Sequence, residues 1–170
     1  MASVLTVNKA VAPAAQTELG SGIDKRPSAE PLAVRAPGPR RGGLGSGVVG
    51  DSIGNAKFHG GDDQAVYAYA REDLDRWQTK LDRELTNGVF GENLTTTGVA
   101  VTDSLIGERW AVGDDGLVLE VTSPRTPCKT FTSWLGIPGW IKTFTAAGVP
   151  GAYLRVINPG RVRSGDRIEI

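Results

Sequence analysis

The chain's only cysteine, Cys128, lies in Ser123-Pro124-Arg125-Thr126-Pro127-Cys128-Lys129, among two prolines and two cations. Each proline fixes its own φ and biases the residue before it toward extended backbone, so a stiff, non-helical loop is expected. Arg125 and Lys129 favour the thiolate, the form that attacks electrophiles and ligates soft metals. The competing reading is a thiol packed as a small apolar group. A rigid polar loop favours chemistry. The only histidine, His59, stands before Gly60, Gly61, Asp62 and Asp63, where it can exchange a proton near neutral pH or simply tie down a loop by bonding a carboxylate. One histidine and one cysteine fall short of a self-contained zinc site.

The elements that must position these residues are mostly short. Val4, Leu5 and Val7 open a strand, residues 10–19 are ambiguous, and Leu32-Ala33-Val34 reads as another strand. Between them Gly20 to Pro27 is turn-rich; on composition alone Lys25 and Arg26 are solvated surface charge. Gly45-Ser46-Gly47-Val48-Val49-Gly50 has the glycine spacing of a dinucleotide fingerprint, but it follows a Pro/Gly loop and carries Gly54 where a helix should open, so that reading is rejected. Residues 55–58 read as a short strand. Leu74, Trp77, Leu81 and Leu85 trace one apolar stripe and predict a helix over residues 71–85, stopped by Asn87-Gly88. Strands are expected again at 89–94 and 99–101. Residues 109–112 and 117–121 flank Gly113-Asp114-Asp115-Gly116, a hairpin that feeds straight into the cysteine loop. Phe131, Trp134, Trp140 and Phe144 follow on short helical turns as core or pocket wall, and final strands are expected at 152–157 and 167–170. The expected fold is mainly β: a closed or nearly closed β-barrel with one clear amphipathic helix.

Composition narrows the function. In 170 residues, 19 basic and 19 acidic side chains balance, which suits one domain and gives no global field for nucleic acid or an anionic membrane. One cysteine makes no internal disulfide, Met1-Ala2-Ser3-Val4 lacks the order of a signal peptide, and no apolar run reaches membrane-spanning length. The cytoplasm is the expected location.

The motifs together resemble the MOSC family, named for the C-terminal domain of molybdenum cofactor sulfurase. The match lies in Gly22-Ile23-Asp24-Lys25-Arg26-Pro27, His59-Gly60-Gly61-Asp62, Phe90-Gly91-Glu92-Asn93-Leu94-Thr95, the Ser123 to Cys128 loop, and Gly151, Tyr153, Leu154, Arg155, Val156, Pro159 and Gly160. The resemblance implies a β-barrel that binds molybdenum cofactor (molybdopterin), with Cys128 as a protein ligand to the metal. It places Lys25, Arg125 and Arg155 as contacts to the cofactor's phosphate, with Thr126, Glu92 and Asn93 beside it, and His59 and Asp62 in catalysis. The family is also associated with pyridoxal phosphate binding. Small members similar to this chain imply reduction of an N-hydroxylated substrate. Electrons would then come from a separate electron-donor protein, since no iron–sulfur, flavin or nicotinamide motif is present. Such members commonly continue into a helical C-terminal region, which this chain, ending at Ile170, does not include, and that bears on substrate closure and on a homodimer. Two other readings stay open: a carrier of the cofactor or of a Cys128 persulfide, and a metal-free thiol protein.

Overall fold

Alternating burial makes Ser3–Ala10 the first strand (β1), with Val4 and Val7 both fully buried although three residues apart. A bulge between Val4 and Thr6 explains the odd spacing: the extra residue shifts the pleat by one, returning Val7 to the core side. The structure is a computed structural model and describes residues 1–170. Further strands are Lys25–Pro27 (β2), Leu32–Val34 (β3), Val66–Ala70 (β4), Leu94–Thr97 (β5), Arg109–Val112 (β6), Leu117–Pro124 (β7), Ala152–Asn158 (β8), Gly160–Val162 (β9) and Ile168–Glu169 (β10). Helices are Arg71–Leu81 (α1), Lys129–Leu135 (α2) and Trp140–Ala147 (α3), with short 3₁₀ turns at Ala14–Gln16, Asp62–Gln64 and Val101–Asp103. None is long and apolar enough to cross a membrane.

Eight strands form one sheet in the order β10-β6-β7-β8-β4-β5-β1-β2, and β3 pairs with β9 apart from it. β4 lies inside the sheet, parallel to β5 and antiparallel to β8. Its five residues are all buried, with Val66, Ala68 and Ala70 in an aliphatic core and Tyr67 and Tyr69 in an aromatic one. The aromatic core packs Trp77 of α1, Phe131 of α2 and Trp140 and Phe144 of α3 around Phe90; the Trp77 and Trp140 rings lie 4.7 Å apart. It fixes α2, and with it the cysteine loop, to one face of the sheet. Trp134 adds a bond from its indole N–H to the Val89 carbonyl at 2.8 Å.

Several expectations are corrected. No ladder closes the sheet into a barrel: β1 meets the residues before β10 only at an isolated bridge, Ser3 to Arg167. Backbone bonds from Val4 N–H to Asp166, from Gly165 N–H to Val4 and from Ile168 N–H to Ala2 flank that bridge. Residues 55–58 form turns, since Asn55 closes its own turn by accepting from Lys57 N–H. α1 ends at Asp82, in the left-handed region at φ 49°, where its backbone N–H caps Gln78. Leu85 is still buried, but by a loop whose N–H bonds the Gln78 side chain. Of the strands expected at 89–94 and 99–101, only Leu94–Thr97 forms, because the carboxylate of Glu92 binds Gly88 and Phe90 N–H and holds the preceding residues in a turn. No helix opens at 51–55, as the rejection of the dinucleotide motif required.

Gly22 shows how tightly the site loops are packed. A Cβ there would sit 2.0 Å from the Ser52 carbonyl oxygen, which is backbone and cannot swing away. Gly22→Ala is expected to cost roughly 1–3 kcal/mol, and thermal unfolding checks it as a fall of about 2–4 °C per kcal/mol.

Candidate functional site

β7 carries the chain to Pro124, and residues 125–128 then run without regular structure to Cys128, the residue that enters α2. This is the stiff non-helical loop expected from its prolines. Arg125 turns inward from it. Its guanidinium donates to the Phe90 carbonyl and lies over the Phe131 and Tyr67 rings, 3.9 and 4.9 Å from their centroids. The side chain is buried, and no carboxylate pairs with it.

Lys25 approaches from β2 and is also buried, but its charge is matched. Its ammonium lies 2.6 and 2.7 Å from the two carboxylate oxygens of Asp51 and donates to the Ser52 carbonyl at 3.3 Å. Asp51 also accepts from Ala10 N–H at 2.8 Å, the Ser46 hydroxyl at 2.8 Å and the Asn93 amide at 2.9 Å. Burial works against ionisation of Asp51; the Lys25 charge and these bonds outweigh it and hold the carboxyl below its usual range. Asn93 is fixed by the same carboxylate and by its bond to Tyr67 N–H at 3.2 Å.

Lys25, Asn93, Arg125, His59 and Cys128 all line one cavity of about 90 Å³. His59 reaches it from a turn whose next residue, Gly60, has φ 81° and packs so closely that a Cβ would meet Ile53 Cδ1 at 2.6 Å and the Gly45 carbonyl oxygen at 2.9 Å. A larger groove of about 710 Å³ adjoins this cavity, lined by Arg40, Phe58, Thr126, Pro127 and Lys129. His59, Gln64, Cys128, Thr130 and Tyr153 border both, so the thiol stands where a small polar chamber opens into a wider one.

The remaining sequence-predicted residues fall elsewhere. Thr126 is exposed in the outer groove. Glu92 is fully buried, accepts from Gly88 and Phe90 N–H and the Thr95 hydroxyl, and borders neither cavity; burial raises its pKa. Asp62 is exposed and holds Gly38 N–H at 2.9 Å. Arg155 pairs with Asp63 at 2.7 Å and Glu120 at 3.7 Å and borders neither cavity. The sequence reading missed Asp51, Gln64, Tyr67 and Thr130, and it gave Tyr153 a place in the family match but no role in the site. Of the four missed, only Asp51 had a local signal, a carboxylate just after a glycine-rich turn, and nothing in the sequence tied it to Lys25.

The thiol itself is half-buried. Burial opposes its ionisation; His59, the Phe131 N–H and the Arg125 charge oppose burial and bring its pKa down to about 7. The rate of Cys128 alkylation should therefore rise with pH to a half-maximum at about 7. His59→Ala should move that midpoint upward, because the neutral thiol loses a partner that favours its anion.

With this geometry established, known proteins give it context. Residues 55–169 match the MOSC domain. The chain belongs to the MOSC domain family. It is 35% identical to YflK of Bacillus subtilis over 153 residues, 90% of this chain and 64% of that protein. A Gibberella moniliformis protein named as a reductase is 30% identical over 179 residues, covering 90% of this chain and 32% of that one. The MOSC chain thus spans less than two thirds of either relative. The crystal structure of YiiM from Geobacillus stearothermophilus superposes with a TM-score of 0.74 at 27% identity, covering 99% of this chain and 74% of that one.

Proposed function

We propose that this MOSC protein is a reductase of small N-hydroxylated molecules that binds molybdenum cofactor, with Cys128 as a protein ligand to the metal. The observation that carries the reading is the placement of an ionisable thiol at the junction of two cavities beside a buried guanidinium that no carboxylate pairs. No three His, Cys, Asp or Glu side chains gather to hold a bare metal ion, so the donor set suits a metal already held by other sulfur ligands. The groove of about 710 Å³ is within the range of cofactor and small-ligand sites, and the buried, unpartnered Gln64 Oε1 at its edge is an acceptor awaiting a ligand donor. The residues fit the group. The reductase name of the Gibberella relative points to the same reaction class.

When bound, the cofactor supplies the two electrons that N–O cleavage needs; they reach it from a separate donor protein. The chain's residues do the rest. Cys128 presents sulfur to the metal, and Arg125 favours the deprotonated form that ligates. Thr126 and Lys129 line the groove that would take the cofactor and substrate. His59, on the border of both cavities, holds a proton for the oxygen that leaves as water. The balance is one N–OH, two electrons and two protons giving N–H and water.

Chain isolated from a cofactor-producing host, given a chemical electron donor and a hydroxylaminopurine, is expected to retain molybdenum and form the amine. Metal-free protein, or a persulfide on Cys128 without turnover, would replace this reading with the thiol-protein or carrier one.

A further inference from the structure

The outer groove opens the thiol to the surface, and its rim carries charge that the chain leaves unpaired. Arg40 and Lys129 line the groove and are exposed, and the exposed Lys57 stands beside it with its ammonium 5.3 Å from the ring centroid of Phe58. Lys129 also lines an adjoining hollow, together with Lys142. None of these four cations is paired with a carboxylate. No aspartate or glutamate lines the groove or the hollow. Of the two carboxylates that follow His59, Asp63 pairs with Arg155, and only Asp62, bonded to Gly38 N–H, is left without a cation. Carboxylates line two other depressions instead, Asp114, Asp115 and Asp166 in one and Glu72, Asp73 and Asp103 in the second. A net charge of zero is therefore a sum over unlike faces, and the face around the thiol is positive. That face is not purely polar. Phe58 is 59% exposed, and Pro124 and Pro127 border the same groove, so apolar points sit among the cations. Spread over two adjoining depressions, these charges suit a broad surface better than a single small ion.

We propose that this rim is the docking face for the electron donor, and that the donor presents an acidic surface to it. The inference rests on the reductase reading, which needs electrons delivered close to Cys128, and the outer groove is where Cys128 meets the surface. Steering by opposite charge suits a partner that must arrive, give an electron and leave. It speeds association more than it tightens the complex, and redox contacts of this kind are small and short-lived.

The test takes a flavodoxin of strongly negative charge as the probe and the cofactor-free chain, so that binding is read without turnover. Association should be at least about tenfold faster in about 20 mM salt than in about 0.5 M. Lys57→Glu combined with Lys142→Glu, two exposed positions outside the groove lining, should slow it about tenfold at low salt, and the matching pair of glutamines should slow it less. Arg161→Glu with Arg163→Glu makes the same change in net charge at the hollow of Asp114 and Asp115, by the turn that starts β7, whereas the groove lies at the other end of that strand. Eight residues of strand span roughly 25 Å, several times the roughly 8 Å over which salt lets charges act, so this control should bind as the wild type does. In cofactor-loaded protein the two lysine variants should keep their rate with a chemical donor and slow with reduced flavodoxin, which gives one electron in each of two encounters. No binding of flavodoxin at low salt, equal slowing by the arginine control, or tighter binding of a short DNA duplex than of flavodoxin overturns the docking face. Absence of turnover with the chemical donor tells against the reductase reading instead, since binding is measured apart from it.

Discussion

Cys128→Ser is expected to cut retained molybdenum and hydroxylamine reduction by roughly a hundredfold or more, since even groups that only support a metal's ligands commonly cost 10–100-fold. Serine keeps the size and the entry into α2, but its hydroxyl stays protonated at neutral pH and is a hard oxygen where a soft sulfur is required. Fold should survive. Cys128 is half-buried at the edge of the aromatic core, and the large aromatic groups beneath it, Phe90, Phe131 and Trp140, pack on one another without the sulfur. The unfolding midpoint should therefore move by no more than about 2 °C, as for a substitution costing about 0.5 kcal/mol. Metal analysis by mass spectrometry beside the rate measurement checks both parts. A variant that keeps its metal and its rate would remove the thiol from the site.

The second large effect is structural. Asp51→Asn leaves the Lys25 ammonium in a place where its side chain is 8% exposed and its partner's was 1% exposed. Breaking a buried pair on one side typically costs about 3–5 kcal/mol, or on the order of 10 °C in a chain of this length. The loss should also loosen Asn93 and the end of β1, because the Asn93 amide and Ala10 N–H bond the same carboxylate. Lys25→Met combined with Asp51→Leu should recover only part of the loss: it removes the stranded charge, but the Ala10 N–H, Ser46 and Asn93 donors still lack their acceptor. The pH dependence has a definite sign. A carboxyl whose pKa is lower in the folded chain contributes stability above its unfolded value of about 3.9. That contribution is lost as pH falls through the depressed folded value. Wild type should thus lose its advantage over Asp51→Asn only below about pH 4, and denaturation midpoints across an acid series measure it.

What the sequence disclosed follows from how local each signal is. α1 was legible because Leu74, Trp77 and Leu81 repeat at helical spacing, and the β6–β7 hairpin because Asp115-Gly116 marks its turn. β4 was not: both of its faces are buried, so Val66 to Ala70 lacks the polar alternation that marks a half-buried strand. The barrel expectation failed for a related reason, since many short strands say little about whether the last one pairs with the first. At the site, Lys25, His59, Asn93, Arg125 and Cys128 were found through motif order, and the structure brings them to one cavity. Their relative charge was not legible. Lys25, read as an anion contact alongside Arg125 and Arg155, is paired with Asp51, 26 residues away. Arg155 was similarly committed to Asp63 and Glu120.

The meeting of β1 with the residues before β10 carries a consequence for how the molecule breathes. Elsewhere in the sheet neighbouring strands pair over two or more residues, but here Ser3 and Arg167 form a lone bridge with a few backbone bonds beside it. Opening there breaks few bonds and exposes little of the aromatic core, so it is the low-energy route to partial unfolding. The thiol, seated across the sheet on β7, α2 and the Phe90 loop, is insulated from that unzipping: the molecule can flex at its seam while its chemistry stays in register.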